Sequence, residues 1–114
     1  MTKGKVVLVP FPFDDLSTTK VRPAVCLTDP IGKHRHVILA FISSSVPVEA
    51  LETDVVLDST HADFAITGLK ASSTLRLHRL MTITTMLIRR ELGALSPSLE
   101  VEVADRLRRL FGLM

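Results

Sequence analysis

The most hydrophobic stretch of the chain is HVILAFI, residues 36–42, and it predicts a buried β-strand. The stretch ends in three consecutive serines, Ser43 to Ser45, where the apolar pattern stops. We expect this strand to lie at the centre of the fold, with the other elements arranged around it.

Shorter apolar runs on both sides predict further strands. They lie at residues 5–9, which Pro10 ends, at 24–28, which Pro23 precedes, at 53–57, and at 73–78 with an extended continuation to residue 83. In the last of these, Leu75 and Leu77 share one face and the intervening Arg76 lies on the other. Residues 14–20 predict an exposed loop, residues 29–33 a turn, and residues 59–66 a short helical turn.

The last part of the chain changes from a two-residue to a helical period. Apolar residues recur there along one helical face: Leu99, Val103, Leu107, Leu110 and Phe111. Ser96 is a suitable N-cap with Pro97 at the first helical position, and Gly112 is a suitable C-cap. A second, shorter helix is expected around residues 85–91, before Gly93. Short strands followed by helices indicate the mainly β class, as a small, strongly bent sheet or barrel with a packed helix.

Length and composition restrict the class of protein. The 114 residues are about the size of one domain, so we expect residues 1–114 to form a single domain. With 46% hydrophobic and 23% charged residues, the chain is expected to fold rather than to stay disordered. The sequence has neither an apolar run of about 18 residues nor a stretch typical of a signal peptide. Its single cysteine, Cys26, excludes an internal disulfide and is typical of a cytoplasmic protein.

Positive charge is concentrated in one part of the chain. The chain has 14 Lys and Arg against 12 Asp and Glu, and the resulting net charge of +2 says little about partners. Residues 70–90, however, contain five Lys and Arg and no carboxylate, a pattern that attracts phosphate. A solvated basic face is the alternative, and charge alone favours it.

Two residues beside the predicted strands have side chains suited to binding phosphate. Arg22 precedes Pro23 where a loop meets a strand, and its guanidinium is a planar fork of donors matched to phosphate. The alternative for Arg22 is a surface ion pair with Asp14 or Asp15. Ser43 directly follows the buried strand, which holds its hydroxyl at the rim of the sheet; the alternative is a serine that caps a turn.

Histidine and cysteine give no metal-site pattern. His34 and His36 lie close together, but His61 and His78 are scattered and one cysteine completes no known ligand spacing. We interpret the histidines as surface residues and expect no metal or other cofactor. Cys26 lies inside an apolar run and is interpreted as a small buried residue rather than a nucleophile.

Taken together, the motifs resemble those of the MazF/PemK toxin family. The similarity rests on GKVVLVP at residues 4–10, RPAV at 22–25, ISS at 42–44, GLK at 68–70, STLRL at 73–77 and TI at 82–83. RPAV and ISS are the most specific pieces, and the similarity extends to the C-terminal helix. It implies a small SH3-like β-barrel with a C-terminal helix, a homodimer, metal-independent endoribonuclease activity, and inhibition by a cognate antitoxin.

The resemblance also assigns roles to individual residues. The family's catalytic arginine falls on Arg22, and its catalytic threonine or serine falls on Ser43. In the PemK branch a further arginine and an acid two residues later are implicated, and these positions are Arg76 and His78. The chain departs from the family here, because His78-Arg79 replaces the usual acid–Gln pair. The identity of the general base is therefore open.

The implied reaction is cleavage of single-stranded RNA by its own 2′-hydroxyl, which requires no nucleophile from the enzyme. Arg22 would stabilise the charge that develops on the phosphate, and Ser43 would donate a hydrogen bond to a phosphoryl oxygen. His78 is a candidate for the base that takes the 2′-hydroxyl proton. Contacts to the RNA are expected from Lys20, Ser44, Arg76 and Arg79.

Two other functions fit the same sequence. A barrel of this kind could bind nucleic acid, or a topoisomerase as the related CcdB toxins do, without cleaving RNA. It could also be an inactive relative that binds only an antitoxin. For the nuclease, the expected partners are single-stranded RNA, a cognate antitoxin and a second copy of the chain, in the cytoplasm and with no membrane.

Overall fold

The computed structural model describes residues 2–11 and 20–113, which form six β-strands and one α-helix. The strands are β1 (Lys5–Phe11), β2 (Lys20–Cys26), β3 (His36–Ser43), β4 (Asp54–Leu57), β5 (Ser73–Thr84) and β6 (Arg90–Ala94), and the helix is α1 (Pro97–Leu110). All strand pairs are antiparallel, in the order β4-β5-β3-β2-β1-β6, and the sheet curls into a half-barrel. The predicted mainly β, SH3-like class with a C-terminal helix is confirmed.

Strand β3 lies inside the sheet and is buried on both faces. Leu39 and Phe41 belong to a core cluster on one face, which they share with Ala24 of β2. Ala40 and Ile42 belong to a second cluster on the opposite face, which α1 covers. A strand that is buried on both faces has no position left for polar residues, which explains its continuous apolar run.

Helix α1 has the caps that the sequence predicts. Ser96 is the N-cap, and its Oγ accepts a hydrogen bond from the Leu99 N–H over 3.2 Å. Gly112, just beyond the last turn, has a φ of +67°, the left-handed conformation that ends many helices. Within the described ranges, no helix is long and apolar enough to cross a membrane.

The start of α1 is also held by Asp63, which lies just before a 3₁₀ turn at Ala65–Thr67. One oxygen of the Asp63 carboxylate, Oδ2, accepts from Ser98 Oγ over 2.7 Å and from Ser96 Oγ over 2.9 Å. These hydrogen bonds lower the pKa of the Asp63 carboxyl from its ordinary 3.8, and the bond from Ser98 has the larger effect. The ionised carboxylate is therefore favoured in the folded state.

This arrangement predicts a loss of stability in acid. A lowered pKa stabilises the fold fully above the ordinary pKa, and that contribution disappears as the pH falls through the lowered value. At pH values below about 4, we expect the free energy of unfolding of the wild type to decrease, and to decrease less steeply in Asp63→Asn. Urea denaturation over about pH 3–6 measures both slopes. Asp105→Asn is the control: it removes a carboxylate of α1 whose ion pair with Arg109 is exposed and therefore weak, so it should change the slope less than Asp63→Asn does. Equal slopes in wild type and Asp63→Asn would contradict the prediction.

The prediction of a short helix around residues 85–91 is wrong. The chain makes a single 3₁₀ turn at Thr85–Leu87 and then enters β6, whose Gly93 pairs with Val6 of β1. Pairing with β1 satisfies backbone groups along the outer edge of the sheet, which an isolated short helix would leave to solvent. The helical turn expected at residues 59–66 is a 3₁₀ turn at Ala65–Thr67.

Two strand ends also differ from the prediction. β1 does not stop at Pro10, because Pro10 pairs with Val21 of β2. β2 accordingly begins at Lys20, earlier than the apolar pattern indicates, and Arg22 lies within the strand rather than at its junction with a loop. Except for Lys20, the loop predicted at residues 14–20 lies outside the described residues.

Candidate functional site

Arg22 and Ser43 lie on adjacent strands at the same end of the sheet. Arg22 is half-buried on β2, which pairs with β3 through Ala24 and Phe41. Alternate residues of a strand share a face, so Arg22 lies on the face of Ala24 and Ser43 on the face of Phe41. Because Ala24 and Phe41 are cross-strand partners, these two faces are the same. Arg22 and Ser43 therefore belong to the face that carries Phe41.

Strand β5 brings two further polar residues to this place from the other side of β3. Thr74 pairs with Ser43, and Arg76 pairs with Phe41. Thr74 is completely buried, whereas 26% of the Arg76 side chain is exposed. Arg22 and Arg76 thus flank the end of β3, on the face to which Ser43 belongs.

The Ser43 hydroxyl takes part in the turn that follows β3. The Ser45 N–H donates to Ser43 Oγ over 3.4 Å, and the Oγ atoms of the two serines are 3.1 Å apart. Thr74 Oγ1 donates to the Ser45 carbonyl oxygen over 2.9 Å and so fixes this turn to β5. Ser43 is therefore a turn cap, as one of the two interpretations has it. A hydroxyl that accepts a hydrogen bond still has its own proton to donate, so the cap does not prevent Ser43 from binding a ligand.

His78 and Arg79 lie in an irregular part of β5. The register of β5 against β3 shifts between Arg76 and Leu80, so residues 77–79 oppose no residue of β3. The first of the three is buried in the core, and the other two are exposed. Bulges of this kind often re-aim side chains beside functional sites. His78 lies two residues beyond Arg76 on the same strand. Because His78 and Arg79 belong to the bulge, neither is part of the regular ladder between β5 and β3.

The remaining candidates are exposed at the Ser43 end of the sheet. Lys20 begins β2, two residues before Arg22 and so on the same face, and Ser44 directly follows β3. Five of the candidate residues therefore lie near one end of the sheet: Lys20, Arg22, Ser43, Ser44 and Arg76. The alternative partners of Arg22, Asp14 and Asp15, lie outside the described residues.

The other reactive side chains do not join this group. Cys26 is completely buried, and its pKa is raised to about 11, chiefly by burial and further by the charge of Glu91. The thiol therefore stays protonated at neutral pH, which confirms that Cys26 is a small buried residue. His34 and His36 lie where the preceding turn leads into β3, with ring centroids 6.0 Å apart. Over the part of the chain that the structure describes, no three His, Cys, Asp or Glu side chains could hold a metal ion together.

Asp54 and Thr74 belong to the same place and were missed from the sequence. Asp54 is the cross-strand partner of Arg76 on β4, and its Oδ1 lies 2.9 Å from Arg76 Nε. Its run, TDVVL at residues 53–57, gives one signal, because Val55 and Leu57 are buried on the core face and Asp54 must lie on the other. The partner of Asp54, however, depends on the register between β4 and β5, which the sequence does not show.

Fold and site together define a class of protein. It is a half-barrel of antiparallel strands with one face covered by a C-terminal helix, and with arginines and hydroxyl side chains grouped where the central strand ends. Solved structures with this fold match nearly the whole chain.

One is the Mycobacterium tuberculosis toxin MazF-mt6, with 24% sequence identity and a TM-score of 0.74 over 96% of this chain and 98% of that one. Another is MazE-MazF from Deinococcus radiodurans, with 16% identity and a TM-score of 0.74 over 100% of this chain and 97% of that one. A third is a mycobacterial endoribonuclease in complex with its cognate antitoxin, with 13% identity and a TM-score of 0.73 over 100% of this chain and 97% of that one. No curated protein sequence matches the chain.

A comparison of the sequence with models of protein families shows to which family the chain belongs. The model of the PemK-like, MazF-like toxins of type II toxin–antitoxin systems matches residues 2–111. The chain therefore belongs to this toxin family, as the motifs of RPAV and ISS predict.

Proposed function

We propose that this toxin is a metal-independent endoribonuclease that cleaves single-stranded RNA. The observation that carries the proposal is the grouping of Arg22, Ser43 and Arg76 on one face, where β3 ends. Two guanidinium groups and a hydroxyl form a donor set suited to a phosphodiester, which offers only acceptors. Family membership makes RNA the expected source of that phosphodiester.

The proposed reaction uses the RNA's own 2′-oxygen as the nucleophile. The 2′-oxygen bonds to phosphorus, the bond from phosphorus to the 5′-oxygen breaks, and the products are a 2′,3′-cyclic phosphate and a 5′-hydroxyl. His78 takes the proton of the 2′-hydroxyl, and the leaving 5′-oxygen receives a proton from water. Arg22 stabilises the charge on the pentacoordinate phosphate, and Ser43 donates a hydrogen bond to a phosphoryl oxygen.

The surroundings of Ser43 support a donor rather than a nucleophile. Among the described residues, the Ser43 hydroxyl interacts with Ser45 rather than with an imidazole or carboxylate that could take its proton. A serine without an adjacent base is a weak nucleophile, whereas it remains a good hydrogen-bond donor. An RNA that supplies its own nucleophile suits such a site.

The proposed contacts to the rest of the RNA are mainly ionic. Lys20, Arg76 and Arg79 would bind backbone phosphates, and the Ser44 hydroxyl would donate to one of them. The chain has no Trp or Tyr and five Phe, so stacking on bases contributes little. Binding of RNA should therefore weaken steeply with salt.

We further propose that the toxin is a cytoplasmic homodimer inhibited by a cognate antitoxin. The similar mycobacterial endoribonuclease was solved with its cognate antitoxin, and the Deinococcus radiodurans toxin as MazE-MazF. A basic face that binds RNA also attracts an acidic segment of a partner protein, because both ligands present negative charge.

The test is to incubate the pure protein with a single-stranded RNA in EDTA, with the same RNA as a duplex for control. We expect fragments that end in a 2′,3′-cyclic phosphate from the single strand alone. RNA that is bound but intact would overturn the nuclease and favour the non-catalytic module. A protein that binds its antitoxin but neither binds nor cleaves RNA would favour the inactive relative.

His78→Ala tests the proposed base. A positioned general base contributes about 10²-fold or more to the rate of a proton transfer. We expect the variant to lose about 10²-fold in rate at neutral pH, measured as initial rates of RNA cleavage. His34→Ala, which removes an exposed histidine just before the start of β3, at the end opposite Ser43, should keep the wild-type rate. An unchanged rate in His78→Ala would remove His78 from the mechanism.

A further inference from the structure

Asp54 is an unusual residue for the edge of a sheet. Strand β4 is an edge strand of only four residues, and the Asp54 side chain at its start is completely buried. Asp54 Oδ2 accepts a hydrogen bond from the Leu51 N–H over 2.9 Å, and Oδ1 lies 2.9 Å from Arg76 Nε. A buried carboxylate is thus placed against an arginine at the candidate site.

Stability does not explain this ion pair. The Arg76 N–H is not aimed at the carboxylate, and within the described structure neither Nε nor Oδ1 has a hydrogen-bond partner, although both atoms are buried. A buried ion pair must offset the desolvation of two charges, and apolar residues of similar size often stabilise a fold as well or better. The next pair along the two strands, Val55 opposite Leu75, is in fact apolar.

The pair does restrict where the guanidinium can be. Arginine has several rotatable bonds and loses much side-chain entropy when it is fixed on binding a ligand. Nε of Arg76 is buried against Asp54. The exposed 26% of the Arg76 side chain therefore belongs to other atoms of that side chain. The two Nη atoms of a guanidinium carry four further N–H bonds, which form the fork that binds phosphate.

We propose that Asp54 is a positioning residue that holds Arg76 on a phosphate next to the one that is cleaved. The proposal rests on the proposed nuclease function. β4 lies on the far side of β5 from β3, so the contact with Asp54 draws the guanidinium away from Ser43. Adjacent strands are about 4.8 Å apart, and a side chain drawn outward by one strand suits a neighbouring phosphate better than the scissile one. Arg22, on the face that carries Ser43, remains for the scissile phosphate.

A double-mutant cycle on cleavage kinetics tests this role. Asp54→Asn keeps an oxygen for the Leu51 N–H but removes the charge that holds Arg76. We expect it to raise KM about tenfold with kcat within about twofold, because a charge-assisted contact made equally before and during reaction is lost. In an Arg76→Ala background, Asp54→Asn should have no further effect on KM. Asp105→Asn is the control carboxylate and should keep the wild-type KM.

Guanidinium ion provides a second readout that a merely structural role would not move. Added at millimolar concentration to Arg76→Ala, it should restore KM toward the wild-type value, because Asp54 offers it the site that the side chain has left. It should restore nothing in Arg76→Ala/Asp54→Asn. This double variant contains neither of the two buried charges, so it does not incur the free-energy cost of a buried charge without a partner. Methylammonium at the same concentration controls for ionic strength.

The proposal is overturned if Asp54→Asn raises KM equally in both backgrounds, if its loss lies in kcat, or if guanidinium restores single and double variants alike. If Asp54→Asn fails to fold, the effect of guanidinium on the KM of Arg76→Ala, compared with its effect on the double variant, decides alone. A wild-type protein that does not cleave RNA refutes the nuclease instead, and the same cycle is then measured as Kd for RNA. Absence of both cleavage and binding overturns both proposals.

Discussion

Arg22→Ala is expected to lower the kcat for RNA cleavage by a factor of about 10²–10³, the usual loss when one donor to a developing oxyanion is removed. Arg22 is half-buried on β2, on the face that also carries Ser43, so its guanidinium lies in an environment partly shielded from water. Charge stabilisation there is worth more than it is in bulk solvent. KM should change much less than kcat, because the extra negative charge on the phosphate exists only in the transition state.

Two variants make this result specific. Arg22→Lys keeps the positive charge but loses the planar fork, and we expect it to recover only part of the rate. Arg108→Ala removes an exposed arginine near the end of α1, away from Ser43, and should cleave at the wild-type rate. Initial rates on one single-stranded RNA in EDTA, with thermal denaturation to verify folding, give all three values. Wild-type kcat in Arg22→Ala would mean that Arg22 does not act on the scissile phosphate.

The parts of the fold that were predictable have strong local signals. Residues 37–42 are apolar at every position, and this alone indicates a strand buried on both faces. Helix α1 combines a helical apolar period with Ser96 as N-cap, so both its existence and its start are visible in the sequence. These signals arise from burial and from backbone hydrogen bonds within one segment, which is why one sequence is enough to find them.

The parts that were not predictable depend on contacts between distant segments. β6 pairs with β1 although more than 80 residues separate them, as the pair Val6 and Gly93 shows. Its five residues, RELGA, have too weak an alternation to distinguish a strand from a helix. The shift of β5 at residues 77–79 is similar, since the only local sign is that apolar residues at 75 and 77 are followed by one at 80.

The candidate site divides in the same way. Arg22 and Ser43 could be predicted because they stand in family motifs that each lie within a few residues. Asp54 was not found, because its importance depends on Arg76, which the register of β4 and β5 brings to it from another part of the chain. A sequence identifies groups that carry chemistry, whereas the residues that orient those groups need the register of the sheet.

Gly93→Ala should destabilise the fold by about 3 kcal/mol, a large effect for the addition of one methyl group. A Cβ at Gly93 would overlap the carbonyl oxygen of Ile66 and lie 2.6 Å from the carbonyl carbon of Thr67. Both neighbours are backbone atoms of the 3₁₀ turn, so no side-chain rotation can relieve the clash. The glycine that the sequence indicated as the end of a helix is in fact a place where two backbones approach closely.

A matched variant separates this clash from the ordinary cost of replacing glycine. Gly32→Ala lies in a turn with a φ of +71° and no atom within 4 Å of the added Cβ, so it carries conformational strain alone, about 1 kcal/mol. Urea denaturation of wild type and both variants measures the difference. If Gly93→Ala were no less stable than Gly32→Ala, the 3₁₀ turn would not pack on β6.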